Sequence, residues 1–243
     1  MALPYPDPSL ALIGFGPGGW GPRLFGGMLL TVEISACGYA VGVALGLLGC
    51  WAKLGGARAG RIVGELYTTL VRAVPELLLI ILLYYGGTQA IEALMARLGS
   101  GGPVGVNAFG AAVVTLGFVQ GAYLTEVFRA AVVAVPPGVS EAGRALALRD
   151  LQRLWLVTLP LAVRHALPGM GNLWLAILKD SSLISVVGFS ELLYTGSSAG
   201  AATKLYVFFY AVTAAGFLFL TAVSNVVLGQ INRLTQRGFV ARA

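Results

Sequence analysis

Two adjacent charges lie inside an apolar stretch of this 243-residue chain. Lys179 and Asp180 occupy the middle of NLWLAILKDSSLISVVGF, residues 172–189, where a charged side chain in hydrocarbon costs about 2.5–3.5 kcal/mol. Chains keep such residues where they face other helices or a water-filled path. Asp180 is therefore a candidate to hold an ammonium or guanidinium group on a solute path. The alternative for both residues is a clamp that locks neighbouring helices.

The two serines after Asp180 indicate whether the helix could be interrupted at this pair of charges. Adjacent residues of a helix point about 100° apart, so Lys179 and Asp180 need different partners unless the helix is interrupted. Ser181 and Ser182 have hydroxyls that can bind backbone groups freed by such a break. We predict that these four residues form one polar site.

Glu126 and Asn172 are the other polar candidates for the path. Glu126 precedes Arg129 by three residues, a spacing that favours an ion pair along one helix, and its alternative role is in the path or at its inner gate. For Asn172 the alternative is an interhelical hydrogen bond. The single histidine, His165, offers neither a nucleophile–base pair nor a cluster of metal ligands, so neither an enzyme nor a metal centre is predicted.

The composition indicates where these residues must lie. Hydrophobic residues make up 57% of the chain and charged residues 11%, whereas an ordinary soluble domain is about 25% charged. The basic residues alternate with apolar stretches rather than clustering with aromatic residues, which argues against nucleic-acid binding. We predict an all-α integral membrane protein that contacts the lipid bilayer.

Five apolar stretches are long enough to cross about 30 Å of hydrocarbon as helices. None alternates polar and apolar residues as a barrel strand does. The predicted spans are Phe25–Trp51, Pro75–Leu94, Val104–Val127, Ala166–Leu193 and Leu205–Leu228.

The positive-inside rule predicts the orientation, because Lys and Arg concentrate between spans one and two, between spans three and four, and after span five. The N-terminus is expected outside and the C-terminus in the cytoplasm. The chain then divides into an extracytoplasmic segment 1–24, a membrane domain 25–232 and a cytoplasmic tail 233–243. Within the membrane domain, residues 129–165 form one long cytoplasmic connection.

This connection is predicted to contain two short helices that protrude from the membrane. Pro136 and the two residues after it end the preceding helix, and Ser140 is a plausible N-cap for a helix over Glu141–Leu148. Asp150 then caps a second helix, which ends or bends near Pro160.

The same connection resembles the cytoplasmic signature of the membrane subunits of ATP-binding-cassette importers, EAA, three residues, G, nine residues, I-x-L-P. The matching residues are Glu141, Ala142, Gly143, Ala147, Val157, Leu159 and Pro160. Gly143 replaces the second Ala of the signature, and Ala147 replaces its Gly. The second change affects the turn, because a left-handed backbone costs Ala about 1 kcal/mol relative to Gly.

Three further stretches resemble the polar amino-acid branch of that family, in particular its histidine/lysine/arginine/ornithine and opine type. They are YTTLVRAVPELLLIILLYYG (67–86), GAYLTEVFRAAVVAVPPG (121–138) and ALPGMGNLWLAILKDSSLISV (166–186).

The resemblance implies a permease subunit in a bacterial inner membrane that imports a polar, basic amino acid delivered by a periplasmic binding protein. ATP and Mg²⁺ would bind a cytoplasmic ATPase dimer, since this chain has no Gly-x-x-x-x-Gly-Lys-[Ser/Thr] phosphate loop and no cofactor of its own. The second membrane subunit would be a paralogue. The residues that would couple to the ATPase are Glu141, Ala142, Gly143, Ala147, Leu159 and Pro160.

Three alternatives remain at this stage. The solute could be another polar amino acid or an opine, carried by the same mechanism. The chain could be a secondary carrier, although those folds usually show inverted repeats over more spans. It could also be a scaffold that only assembles other subunits, in which case apolar residues at Lys179 and Asp180 would leave uptake intact.

Overall fold

The structure is a computed structural model, and it describes residues 12–97 and 107–236. The described residues fold into helices joined by short connections. We number the α-helices along the chain: α1 Gly21–Leu54, α2 Arg58–Ala73, α3 Glu76–Arg97, α4 Ala108–Val133, α5 Pro137–Ala145, α6 Asp150–Arg153, α7 Leu159–Asp180, α8 Leu192–Thr203 and α9 Tyr206–Gln236. A π-helical segment, Leu154–Thr158, joins α6 to α7, and a 3-10 segment, Ser181–Val187, follows α7.

Five helices in the described part of the chain are long and apolar enough to cross a membrane, which confirms the predicted number of spans. They are α1, α3, α4, the continuous helix Asp150–Val187 and α9. The third span runs to Val133 and the fifth to Gln236, both beyond their predicted ends. The predicted start of the third span, Val104, lies outside the described residues. The orientation and the division into segments stay predictions.

A row of glycines lies at the contact between α1 and α4. A methyl group added at Gly46 would lie 2.7 Å from the β-carbon of Leu124, and one added at Gly117 would lie 2.6 Å from that of Val41. Because glycine has no such methyl group, the backbones of α1 and α4 can approach each other closely, as is common between spanning helices. The first and third spans therefore form the close-packed centre of the chain.

The fourth span ends earlier than the sequence indicated. It was predicted over Ala166–Leu193, but the 3-10 segment ends at Val187 and Gly188 follows in the left-handed region, at φ 84°. Leu192 and Leu193 begin the separate helix α8. The predicted boundary was wrong because the apolar residues continue through a break that a glycine makes.

Glu191 fixes the start of α8. Its fully buried carboxylate accepts hydrogen bonds at 2.8 Å from the backbone N–H groups of both Leu193 and Tyr194, and Thr31 of α1 donates to it at 3.3 Å. A side-chain acceptor at this position satisfies amides that the first turn of a helix leaves free. The buried carboxylate thus ties α8 to the first span.

The helix α2 was not predicted, since the sequence analysis assigned no structure to the segment between spans one and two. It is amphipathic, burying Gly64, Thr68 and Val71 while exposing Ile62 and Leu66. A short extended connection then leads to α3, where the amide of Leu79 already donates to Pro75. Proline cannot continue the ladder of α2, so the chain restarts as a new helix.

Candidate functional site: a coupling arm and a charged path

The first helix of the coupling arm, which we define as residues 137–160, begins earlier than predicted. This helix, α5, starts at Pro137 and not at Glu141, and Ser140 lies inside the helix instead of capping it. Proline suits the first turn because its missing amide has no partner there and its φ is already helical. Glu141 and Ala142 consequently lie on the helix, and both are exposed.

Ala147 adopts the left-handed backbone that the signature's glycine would serve, with φ 54°. The amide of Leu148 donates to the Gly143 carbonyl at 3.1 Å, and that of Ala147 to the Arg144 carbonyl at 2.9 Å. These two bonds form the Schellman arrangement that ends many helices. The turn therefore keeps its geometry although an alanine occupies it.

Gly143 is buried against the side chain of the next helix. A methyl group there would lie 3.3 Å from Cγ of Arg153, and Arg153 in turn pairs with Asp150 at 2.8 Å. The glycine allows α5 to lie close to α6. The two elements of the arm thus touch at Gly143.

The second helix of the arm is not a separate short helix, as predicted, but the beginning of the fourth span. Asp150 is its first residue, and the Arg149 amide before it donates to the side-chain oxygen of Gln152 at 3.0 Å. The helix does not end at Pro160. It widens into the π segment, where the amide of Leu159 donates to the Leu154 carbonyl, so the helix passes Pro160 directly after a change in its hydrogen-bond ladder.

The arm exposes large apolar side chains. Leu146 is 75% exposed and Trp155 61% exposed, and Leu151, Leu156 and Leu159 are also exposed. Exposed apolar patches on a protein surface commonly mark a contact with another protein. The arm has the composition of a docking surface.

An interruption of the helix at Lys179 and Asp180 was one of the two alternatives for this pair, and the structure has a change of helix type there. The helix changes from α to 3-10 at Ser181, whose hydroxyl donates to the Leu178 carbonyl at 2.8 Å. The hydroxyl of Ser182 donates to the Lys179 carbonyl at 2.6 Å. Both serines therefore satisfy backbone oxygens at the change of helix, as expected from their position.

Lys179 is exposed and Asp180 is half-buried. Neither forms a salt bridge with another residue in ranges 12–97 and 107–236. The shorter span also places the pair nearer to the end of its helix than predicted. Within the described chain, these two charges are thus available to a further group.

Asp180 faces residues of α3 and α4. Ile184, in the 3-10 segment that follows Asp180, is buried in one cluster with Ile80 of α3, and Asp180 lies near enough to Glu76 of α3 for their two carboxylates to interact electrostatically. Glu76 also contacts the side chain of Tyr123. The sequence analysis did not place Glu76 in the path, because nothing local connects it to Asp180.

Arg72 adds a positive charge to this group. Its guanidinium lies 5.8 Å from the centre of the Tyr123 ring, a distance typical of a cation–π contact. Groups of both signs are therefore present around the break in the fourth span, with Lys179 and Asp180 on one side and Arg72 and Glu76 on the other. We call these four residues and Tyr123 the charged path.

Asn172 lies outside the charged path and is exposed on α7. The interhelical hydrogen bonds of this region come from its neighbours instead. Gln120 donates to the Leu173 carbonyl at 2.6 Å, and Trp174 donates to the hydroxyl of Ser224 at 3.1 Å.

Glu126 forms the predicted ion pair with Arg129, at 2.9 Å. It also binds Lys53 at the end of α1, which the sequence analysis did not foresee. The ammonium of Lys53 additionally contacts the carboxylate of Glu65, at 3.0 Å, and the hydroxyl of Thr68, at 2.7 Å. We call these five residues the lysine cluster.

A tyrosine of α2 makes a second contact with α4. Burial raises the pKa of the Tyr67 phenol to about 12, so the hydroxyl keeps its proton and donates to the Phe118 carbonyl at 2.6 Å. The helix α2 is thus held to α4 at both the lysine cluster and Tyr67.

The sequence of this chain was compared with protein families and with individual known proteins. Residues 42–237 match the model of the family described as binding-protein-dependent transport system inner membrane component. The nopaline transport system permease protein NocQ of Agrobacterium fabrum is 42% identical over 89% of this chain and 92% of its own length. The histidine/lysine/arginine/ornithine transport system permease protein HisQ of Escherichia coli is 37% identical over 83% of this chain and 88% of its own length.

Two solved structures are similar in fold. A crystal structure of an amino acid ABC transporter with histidines superposes with a TM-score of 0.76 at 27% identity, covering 88% of this chain and 94% of that one. The MetNI methionine ABC transporter superposes with a TM-score of 0.67 at 17% identity, covering 95% and 99%. At that identity the second likeness concerns the fold alone.

Proposed function

Because this chain belongs to the family of binding-protein-dependent transport system inner membrane components, we propose that it forms part of the path for an amino acid with a cationic side chain. It is a multi-pass permease subunit of an ATP-binding-cassette importer in the bacterial inner membrane. It is not itself an enzyme, since ATP is hydrolysed on a partner subunit. An ATPase and a substrate-binding protein are its partners by family.

The half-buried Asp180, with Glu76 beside it and without a salt bridge in the described chain, is the observation that carries the choice of solute. Two carboxylates suit an ammonium or guanidinium group. Arg72 and Lys179 supply positive charges that suit the carboxylate of the same amino acid. A zwitterion with a cationic side chain therefore matches the signs of the charged path.

The other predicted path residues take supporting roles in this proposal. Ser181 and Ser182 hold the backbone at the change from α-helix to 3-10 helix, which keeps Asp180 half-buried. Asn172 is exposed on the same helix and would extend the path. Glu126 belongs to the lysine cluster instead of the charged path.

The coupling arm is proposed to dock on the ATPase. Its exposed leucines and Trp155 supply apolar area, and Glu141 supplies a charge on the exposed face of α5. The Schellman turn at Ala147 holds α5 at a fixed angle to the fourth span, so movement of the ATPase would reach the membrane as rotation of a rigid element. Docking on a cytoplasmic ATPase would require residues 129–165 and the C-terminus to lie in the cytoplasm, an orientation that the distribution of Lys and Arg supports.

A second membrane subunit, which we propose to be a paralogue, would complete the path. Five spans make a thin wall around a path. The likeness to HisQ, one permease of a histidine/lysine/arginine/ornithine system, supports a pair of related but different chains.

An opine is the second candidate for the solute. The relatives at 37–42% identity include permeases of nopaline and octopine transport systems. The transport mechanism would be the same for an opine as for a basic amino acid. The two solutes would differ in the anionic groups that Arg72 and Lys179 must bind.

The docking proposal is tested by affinity purification of the tagged chain from native membranes. Wild type is compared with Glu141→Lys and with Glu92→Lys, a matched reversal at an exposed acid of α3. We expect the ATPase to co-purify with wild type and Glu92→Lys and to be lost from Glu141→Lys. Absence of any ATPase from the wild-type sample would favour the secondary carrier.

The choice of solute is tested by uptake into vesicles that contain the intact transporter and its binding protein. Asp180→Asn is compared with Glu92→Gln as the control. Loss of a hydrogen bond to a charged group costs about 1.5–3 kcal/mol, so uptake of a basic amino acid should fall at least about tenfold in Asp180→Asn alone. Undiminished uptake in an assembled Asp180→Asn transporter would support the scaffold instead.

A further inference from the structure

Lys53 is a buried cation at the last turn of α1. Its side chain is 2% exposed, and its ammonium contacts Glu126, Glu65 and Thr68. A buried charge is tolerated only when its hydrogen bonds are satisfied by partners. The three partners of Lys53 provide this, and they come from two other helices.

Glycines of α1 and α2 pack closely around Lys53 and its partners. A methyl group at Gly64 of α2 would lie 2.8 Å from Cγ of Lys53, and one at Gly49 of α1 would overlap the side chain of Thr125 on α4. Small residues thus bring α1, α2 and α4 together around one ammonium. The lysine cluster is built into the closest contact among these three helices.

The chain connects this cluster to both functional regions. Beyond Glu126 and Arg129, α4 ends at Val133 and the coupling arm begins four residues later. Beyond Glu65 and Thr68, α2 ends at Ala73, next to Arg72 of the charged path. The lysine cluster therefore lies between the helix that leads to the arm and the helix that leads to the path.

We propose that Lys53 is a positioning residue that makes α2 move together with α4, so that displacement of the coupling arm reaches the charged path. This inference rests on the proposed function. Separating α2 from α4 would leave a buried charge without its partner, which is unfavourable enough to keep the ends of the three helices together as one body. Packed elements of this kind switch between discrete arrangements rather than deforming gradually.

The inference predicts a specific defect when the cluster is removed. Without Lys53, α4 still carries the arm and the ATPase can still hydrolyse ATP. The helix α2 then keeps only its Tyr67 contact with α4 and follows the movement of α4 less completely, so fewer solute molecules cross for each ATP. Because Lys53 does not belong to the charged path, the KM for the solute should change little.

The experiment measures solute uptake and ATP hydrolysis together in vesicles that contain the complete transporter and its binding protein. Lys53→Met leaves Glu126 with Arg129 alone and can impair assembly. The double variant Lys53→Met with Glu126→Leu replaces the buried Lys53 and its part-buried partner by apolar groups, a change that is often neutral for stability. Arg58→Met, at an exposed position of α2, is the matched control.

We expect uptake per ATP to fall about fivefold or more in the double variant, the scale of common coupling between sites, and to stay unchanged in Arg58→Met. A double variant that assembles and keeps the wild-type ratio would overturn the inference, and Lys53 would then serve stability alone. If the wild-type transporter hydrolyses ATP but moves no solute, the proposed function itself fails, before any variant is compared.

Discussion

The turn at Ala147 gives the sharpest test of the coupling arm. Its φ of 54° places an L-residue in a conformation that costs roughly 1–2 kcal/mol, whereas glycine adopts it freely. Ala147→Gly should therefore stabilise the closed turn by about 1 kcal/mol, after the greater freedom of glycine in the open state is allowed for. Ala147 is exposed, so the substitution removes no buried contact.

The same substitution two residues earlier, Ala145→Gly, should destabilise the end of α5. Ala145 is the last residue of α5 and is also exposed. Glycine inside a helix is less stable than alanine by about 0.5–1 kcal/mol. The pair of variants thus separates the backbone conformation at each position from any general effect of adding glycine.

Amide hydrogen exchange of the purified chain measures both effects. The amides of Ala147 and Leu148 donate to Arg144 and Gly143, so their exchange requires the turn to open. A change of 1 kcal/mol alters their protection about fivefold: upward in Ala147→Gly and downward in Ala145→Gly. If both variants lower protection, Ala147 does not occupy a left-handed turn and the account of the arm is wrong.

Two further predictions concern the helix α8. Glu191→Ala should lower the thermal unfolding midpoint of the purified chain, because it removes the acceptor of two backbone amides and an N-cap contributes about 0.5–2 kcal/mol; Glu33→Ala, at an exposed acid of α1, should leave the midpoint unchanged, and equal effects would contradict the capping role. Gly196→Ala should also lower the midpoint, since its methyl group would overlap the side chain of Thr213 and overpacking costs about 1–3 kcal/mol. Adding Thr213→Ala should restore most of the loss; a double variant no more stable than Gly196→Ala would show that the clash is elsewhere.

The spans and the arm could be predicted because their signals are local. A run of apolar residues has few outcomes besides a spanning helix, and this gave the five spans from hydropathy alone. The arm followed from the spacing between Glu141 and Pro160. Its boundaries were less accurate, since Pro137 starts a helix that the sequence analysis assigned to the residues after Ser140.

The lysine cluster could not be predicted because its members are remote in the sequence. Lys53 and Glu126 are 73 residues apart, and Lys53 by itself is indistinguishable from the other basic residues that follow a span. Glu191 was missed for a similar reason, since its partner Thr31 belongs to another span. The amphipathic pattern of α2 was a usable signal, but the sequence analysis used that segment for its basic residues and assigned no helix to it.

The distance along the chain between Lys53 and Glu126 also has a consequence for synthesis. A ribosome adding about 5–20 residues each second needs about 4–15 s to make the intervening segment. During that time the first span enters the membrane with its row of glycines uncovered and its lysine without the carboxylate that later binds it. Every newly made copy therefore passes through a stage in which the insertion machinery, or a protease, meets the first span before its partner exists.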